Sequence, residues 1–374
     1  MSERFSLKDH LFNKKTVGYL ADLFYAQDEN FPRDSFVENI IDDFPELELK
    51  QRIVRITNEL YRVLPKSYPD ALQKISAALP SELDPEKTDD DFGDFILAPL
   101  SHYIAMHGCY PEYLEISLFA LRECTKRFSS EDAIRYFINA FPNETYNFLR
   151  QCAVSDNYHV RRLSSEGLRP SLPWCQKISI DYKKPIEILD MLFVDRTRYV
   201  TRSVANHMND ISKKDPDLVI ETLRAWQQSG RQAISEINFI MRHSLRTLVK
   251  QGNPEALELL GYPREPKIQI ENFTLHTPEV AIDDALEFSF DIVSSENQNL
   301  MIDYVIHYVG SRGSTSPRVF KIKKGSFEQG ETIHIHKKQL FRIMTTKKLY
   351  PGIHRVQIQI NGVVAHEFSF NLAK

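Results

Sequence analysis

The 374-residue sequence predicts two unlike parts in one chain: an all-α, HEAT-like repeat solenoid and, after it, an immunoglobulin-like β-sandwich. Three observations predict this. Apolar residues recur at helical spacing from Leu7 to about Tyr262. Within that stretch Val160-x-Arg162, Val200-x-Arg202 and Ile240-x-Arg242 repeat at a spacing of 40, the period of paired-helix repeats whose second helices line a concave surface. After Gly261-Tyr262-Pro263 the spacing turns to alternation, as in Leu286, Phe288, Phe290 and Ile292. The expected domains are therefore residues 1–262 and 263–374.

In order, Leu7, Leu11, Val17, Leu20 and Phe24 open the helical part. Phe36, Val37, Ile40, Ile41 and Phe44 form a second stripe ending at Pro45, and Leu49, Ile53, Ile56, Leu60 and Leu64 a third ending at Pro65. Proline stops each, because it has no N–H to donate and clashes with the preceding turn. SELDPEKTDDDFGDF then reads as a solvated acidic connection. Its run Asp89, Asp90, Asp91 lacks the ligand positions and closing Glu of a hard-cation loop. Helical spacing resumes at Leu97, and Arg122, preceded by Ala120, keeps the phase of the repeat one unit earlier.

The stretch Asn157 to Trp174, NYHVRRLSSEGLRPSLPW, carries the most chemistry. On a helix, Val160, Leu163, Ser164 and Gly167 share one side, and Arg162, Glu166 and Arg169 share the other. Pro170 and Pro173 end it, with Trp174 just beyond. In repeat register, Arg202, Asn206, Asn209 and Asp210 come alongside, followed by Arg242, Arg246 and Lys250. The inner wall becomes a ladder of basic and amide side chains with two carboxylates, Glu166 and Asp210. A structural ladder is the competing expectation, with Asp156, Arg161, Asp195 and Arg196 pairing between repeats. Trp174, taken alone, fits a core aromatic.

The sandwich is read from LEFSFDI, MIDYVIHYV, PRVFKIK, ETIHIH, HRVQIQI and HEFSFNL, with Asn361-Gly362 as a type I′ hairpin turn. It has no cysteine, so packing alone holds its sheets. Cys109, Cys124, Cys152 and Cys175 form no CxxC pair or metal-ligand spacing, and read as reduced thiols of a cytoplasmic protein. No stretch reads as a membrane span or a secretory signal, and no metal or cofactor is expected.

A net charge of −4 argues against a wholesale basic nucleic-acid binder, but charge is unevenly placed. Residues 1–130 hold 15 Lys+Arg against 23 Asp+Glu, a net of −8. Residues 131–262 hold 18 against 16, and residues 263–374 hold 14 against 12. Arg312 to Arg355 alone carries 11 basic and 2 acidic residues. A polyanion would meet the middle and end of the chain.

LKDHLFN, ELELKQRI, LDPEKTDDDFGDFILAPL, RFSSEDAIRYFI, NYHVRRLSSEGLRPSLPW and TRYVTRSVANHMNDISKKDPDLV closely resemble the AlkC branch of the AlkC/AlkD DNA alkylation-repair glycosylases. These stretches span nearly all of residues 5–230, and the terminal sandwich resembles the immunoglobulin-like domain of one AlkC subgroup. The resemblance implies a monofunctional base-excision-repair glycosylase that removes cationic N-alkylated bases, chiefly 3-methylcytosine and 3-methyladenine, from duplex DNA. It implies an abasic product, no metal or cofactor, and a bent duplex whose lesion is not extruded. The family's carboxylates match Glu131, Glu166 and Asp210, and its active-site tryptophan matches Trp174. YVGSRGSTSPRVFKIKK resembles the subgroup's DNA-contacting hairpin.

These residue types suit that chemistry. A cationic base departs without a strong general acid, and what remains to be stabilised is an oxocarbenium-like sugar. Fixed carboxylates meet that task, and Asp210 or Glu166 is suited to orient the attacking water. An indole beside the lesion favours cations. Arg162, Arg169, Arg202, Asn206, Arg242 and Arg246 are expected to surround the carboxylates and grip phosphates, and Arg312, Arg318, Lys321, Lys323 and Lys324 to grip the duplex from the sandwich. The expected partner is alkylated double-stranded DNA, met by a nucleoid-associated cytoplasmic monomer. The alternatives are a non-catalytic HEAT-repeat scaffold that uses its basic face for an acidic partner, and a family member that binds damage without releasing the base.

Overall fold

A computed structural model of the chain describes residues 5–87, 89, 92–310, 314–342 and 348–373. Arg312, Asp90 and Asp91 lie outside the described residues. Helices from Leu7–Leu11 to Pro254–Leu259 precede strands that run from Ile268 to Leu372. By packing, the chain forms two compact units, residues 1–211 with 226–240, and residues 212–225 with 241–374.

In the first unit the predicted stripes are the buried faces. Val17, Leu20 and Phe24 are buried in the Lys14–Tyr25 helix, Phe36, Val37 and Ile40 in Arg33–Ile41, and Ile56 and Leu60 in Leu49–Val63. The last helix also buries two charges that periodicity did not mark, Arg52 and Glu59. Arg52 is satisfied by the carbonyls of Leu47, Lys8, Phe12 and Phe44 and by Asp9 at 2.6 Å. The repeat positions Val160, Val200 and Ile240 are all fully buried.

The helix at the centre of this unit spans Tyr158–Glu166. Asn157 caps it, its side chain accepting from the N–H groups of His159 and Val160 at 2.9 and 3.3 Å. Its last residue, Glu166, is four short of Pro170, and Gly167 is its C-cap. A Cβ on Gly167 would lie 2.7 Å from Ile134 Cγ2, so glycine allows the close approach of the Ile134–Ala140 helix. Both faces of Tyr158–Glu166 are buried rather than one, because the Arg198–Ile211 helix packs on it. Ser203 and His207 reach across from that helix to the Ser165 hydroxyl and carbonyl, at 2.9 and 3.0 Å.

In the second unit a sandwich forms from β1 (Ile268–Leu275), β2 (Glu279–Val280), β3 (Ala285–Ser294), β4 (Gln298–Val309), β5 (Thr315–Phe327), β6 (Thr332–Leu340), β7 (Gly352–Ile360) and β8 (Val363–Leu372). One sheet has the order β1-β3-β6 and the other β2-β8-β7-β4-β5. Phe288, Phe290, Ile302, Tyr304, Val356 and Ile358 lie in its core. The β7–β8 turn has φ +51 at Asn361 and +79 at Gly362, as a type I′ turn requires. Strand β1 escapes a period-2 search because Asn272, at φ +51, shifts the register between Glu271 and Thr274. No described helix is long and apolar enough to cross a membrane.

Candidate active site

Charged residues of opposite sign alternate through the first unit, from Glu131 to Asp210. Arg162 Nη1 donates to Glu131 Oε2 at 2.9 Å and to Ser129 Oγ at 3.0 Å, while its Nη2 lies 3.7 Å from Glu166 Oε1. Arg169 Nη1 donates to the same Glu166 oxygen at 2.6 Å, and Arg169 Nε donates to Asp210 Oδ2 at 2.9 Å. Ser203 Oγ donates to Glu166 Oε2 at 2.5 Å. Three carboxylates are thus held by two guanidiniums, with each arginine shared between neighbours. The Arg162 guanidinium also lies 4.4 Å from the Tyr199 ring centroid.

Burial makes this sharing necessary. Glu166 is 4% and Asp210 2% exposed, and a lone buried charge is costly unless paired. Burial pushes the Glu166 carboxyl up. The Arg162 and Arg169 guanidiniums and the Ser203 and Arg169 hydrogen bonds outweigh this, holding it below the usual carboxylate range. Burial lowers the Arg162 guanidinium pKa, but Glu131 and Glu166 raise it above its ordinary range. His207, fully buried on the neighbouring helix, is pulled down to about 4 by burial and then by Arg169, so its ring is neutral.

The array opens into a cavity of about 430 Å³. Glu131, Glu166, Arg162 and Arg169 line one part of it, and Phe92, Phe95 and Phe128 give it an apolar part. Trp174 also lines it and is 69% exposed, so the indole is no core residue. Its backbone sits at φ +64, in the left-handed region that a bulky side chain rarely occupies. Asp210 is not among the lining residues and joins the group through Arg169. Glu131 accepts both of its hydrogen bonds at Oε2, so among the described residues Oε1 has no partner.

The structure brings together Glu131, Arg162, Glu166, Arg169, Asp210 and Trp174. Arg202 pairs with Asp89 at 2.6 Å, and Asn206 is half-buried on the Arg198–Ile211 helix. Arg242, exposed, and Arg246, half-buried, belong to the second unit. Arg318, Lys321, Lys323 and Lys324 are exposed on β5, the edge strand of the five-stranded sheet. The inter-repeat pair foreseen among Asp156, Arg161, Asp195 and Arg196 is Arg161 with Asp195, in the connection before the Arg198–Ile211 helix, whose Nη2–Oδ1 distance is 3.0 Å. Adjacent residues point about 100° apart on a helix, so Arg161 meets the structural pair and Arg162 the cavity. Sequence reasoning missed Lys50, Phe92, Asp132, Arg135, Tyr199 and Ser203, and no local pattern marks them.

Fold and site together define a class: a HEAT-like helical repeat holding an arginine-bridged carboxylate array, with an immunoglobulin-like domain after it. A family profile described as "Uncharacterised protein YhaZ, C-terminal Ig-like domain" matches residues 269–374. The chain is 32% identical over 375 aligned positions to the uncharacterized protein YhaZ of Bacillus subtilis (strain 168), covering 97% of this chain and 98% of that one. It is also similar to a solved structure of the Pseudomonas fluorescens alkylpurine DNA glycosylase AlkC bound to DNA containing an abasic site analog. That match has a TM-score of 0.77 and 32% identity, and covers 99% of this chain and 100% of the other. The chain belongs to the AlkC/YhaZ family, in the branch with a C-terminal immunoglobulin-like domain.

Proposed function

We propose that this protein is a monofunctional DNA glycosylase that excises cationic N-alkylated bases, 3-methylcytosine and 3-methyladenine, from duplex DNA. The observation that carries the proposal is the pair of arginine-bridged carboxylates, Glu131 and Glu166, lining a cavity that an exposed tryptophan also lines. The similarity to a glycosylase solved on abasic-site DNA supports it. Residues 1–262 would do the chemistry and residues 263–374 would hold DNA. The protein would act as a cytoplasmic monomer in base excision repair.

In the reaction the N-glycosidic bond breaks and its electron pair leaves with the base, which departs neutral. Positive charge is left on the sugar. A water oxygen then bonds to C1′ and its proton passes to a carboxylate. Glu131 suits the role of proton acceptor, because its Oε1 is open. Glu166, fixed at both oxygens, suits electrostatic stabilisation of the sugar cation, and Asp210 holds Arg169 while adding negative charge behind it. Trp174 would favour a charged over a neutral base. Arg162 and Arg169 direct their donors at carboxylates and Arg202 pairs with Asp89, so Asn206, Arg242, Arg246, Arg318, Lys321 and Lys323 are left as the phosphate contacts of this proposal, with Arg202 joining them only by exchanging Asp89 for a phosphate.

A scaffold built from a structural ladder would need nothing more than pairs such as Arg161–Asp195 and Arg198–Glu236. It gives no reason for an exposed indole above buried carboxylates. Incubation with duplex DNA carrying 3-methylcytosine or 3-methyladenine, scored for abasic sites, tests the proposal. Wild-type protein should generate them and Glu131→Gln should lose most of the rate. Binding without base release refutes the proposal.

A further inference from the structure

Arg135, on the Ile134–Ala140 helix, is 1% exposed. Among the described residues its guanidinium hydrogen-bonds to no carboxylate, and its donors go to main-chain carbonyls. Nε donates to Gln176 O at 2.6 Å, and Nη1 donates to Gly167 O at 3.0 Å and Arg169 O at 2.9 Å. One side chain therefore fastens both ends of segment 167–176. That segment bears Arg169 at one end and Trp174 near the other. One turn along the same helix, Asn139 Nδ2 donates to Lys177 O at 2.9 Å, and Asn139 Oδ1 accepts from Ser179 N at 3.0 Å. From the Leu49–Val63 helix, Lys50 Nζ donates to the carbonyl of Trp174 itself and lies 3.6 Å from Asp132.

A non-glycine residue in the left-handed region persists only where its surroundings over-determine it. Trp174 is such a residue and its side chain is largely free of packing, so its conformation must be set through the main chain. The turn in which Cys175 N donates to Leu172 O, with Pro173 and Trp174 at its centre, gives the local bend, and the bonds of Arg135 and Lys50 fix that turn against the neighbouring helices. A buried guanidinium is a costly way to hold three carbonyls, and its planar fork of donors does what no apolar side chain could do there. We propose that Arg135 and Lys50 are positioning residues that fix the Trp174 indole over the cavity. Neither is assigned contact with the base, and the inference rests on the reading of this cavity as the glycosylase site.

The experiment has two arms. The first is a double-mutant cycle on single-turnover release of 3-methyladenine, with Arg135→Lys and Lys50→Met each made in wild-type and Trp174→Ala backgrounds. Each change should slow release by about tenfold in wild type, with duplex affinity within about threefold, and by less than about twofold when Trp174 is absent. Equal losses in both backgrounds mean a structural role and overturn the proposal, as does no loss in either. The second arm needs no turnover. The chain has two tryptophans, so Trp226→Phe leaves Trp174 as the sole reporter, and its fluorescence anisotropy should fall on adding either change. Unchanged anisotropy overturns the positioning role even if base release is confirmed, and a fall in a protein that releases no base separates the two readings. Lys50 is half exposed, so Lys50→Met keeps the test alive if Arg135→Lys does not fold.

Discussion

Arg169 joins Glu166 to Asp210. It lies 2.6 Å from one carboxylate and 2.9 Å from the other, and both are nearly sealed from water. Two buried acids, one in the last turn of the Tyr158–Glu166 helix and one in the last turn of Arg198–Ile211, are tolerated because Arg169 bridges them and Arg162 adds a second cation beside Glu166. Removing it should therefore be worse than removing either acid. Arg169→Ala is expected to cost about 3–5 kcal/mol in urea denaturation at pH 7. Glu166→Gln, which keeps the shape and removes the charge, should cost clearly less.

Trp174 should separate stability from selectivity. Trp174→Gly relieves a left-handed backbone at a residue that is mostly exposed, so the melting temperature should hold or rise slightly. A cation–π preference of roughly 0.5–2 kcal/mol would be lost. Release of 3-methyladenine relative to a neutral base such as hypoxanthine should drop by about 2- to 30-fold.

Asp303 gives the sandwich a pH signature. It is buried on β4, its Oδ1 has no hydrogen-bond partner among the described residues, and burial pushes its carboxyl up to about 6, against the smaller opposing pull of Lys321. The ordinary value is 3.8, so between these two pH values the folded state holds a proton that the unfolded state has lost. Stability contributed by this group falls as pH rises through that window and stays low above it. Asp303→Asn should raise stability at pH 8 by on the order of 2 kcal/mol, and the gain should vanish near pH 4. Thermal melts at the two pH values check it.

Lys321 and Lys323 stand on an edge strand, where lysines also discourage strand-to-strand association. The two roles differ in salt dependence. If each lysine neutralises one phosphate, Lys321→Ala and Lys323→Ala should each flatten the slope of log affinity against log salt by about 0.9. An unchanged slope with new self-association would leave them as edge protection.

Apolar periodicity was enough to place the helices of the first unit and most strands of the second, because which residues share a face follows from spacing alone. What covers a face does not. Arg162 and Glu166 were legible as neighbours, yet their burial depends on the Arg198–Ile211 helix some 40 residues on. Repeat phase has the same limit: Arg162, Arg202 and Arg242 share it, and are respectively buried between two glutamates, paired with Asp89, and exposed. Lys50 and Trp174 are 124 residues apart and meet through a main-chain oxygen, which no side-chain pattern encodes. Strand β1 was hidden by one residue, Asn272, whose bulge moves the apolar set from Ile268 and Ile270 to Phe273 and Leu275.

The claim on which the rest stands is that the buried Glu166 carboxylate, with the acids bridged to it, stabilises a sugar as it loses a charged base. The most direct test is single-turnover release of 3-methyladenine from duplex DNA by wild-type protein and by Glu166→Gln, with DNA affinity measured alongside. The account predicts abasic sites from wild type and release at least about 100-fold slower from the variant, at an affinity within about threefold. Equal rates from the two proteins, or no base release by wild type, would contradict it.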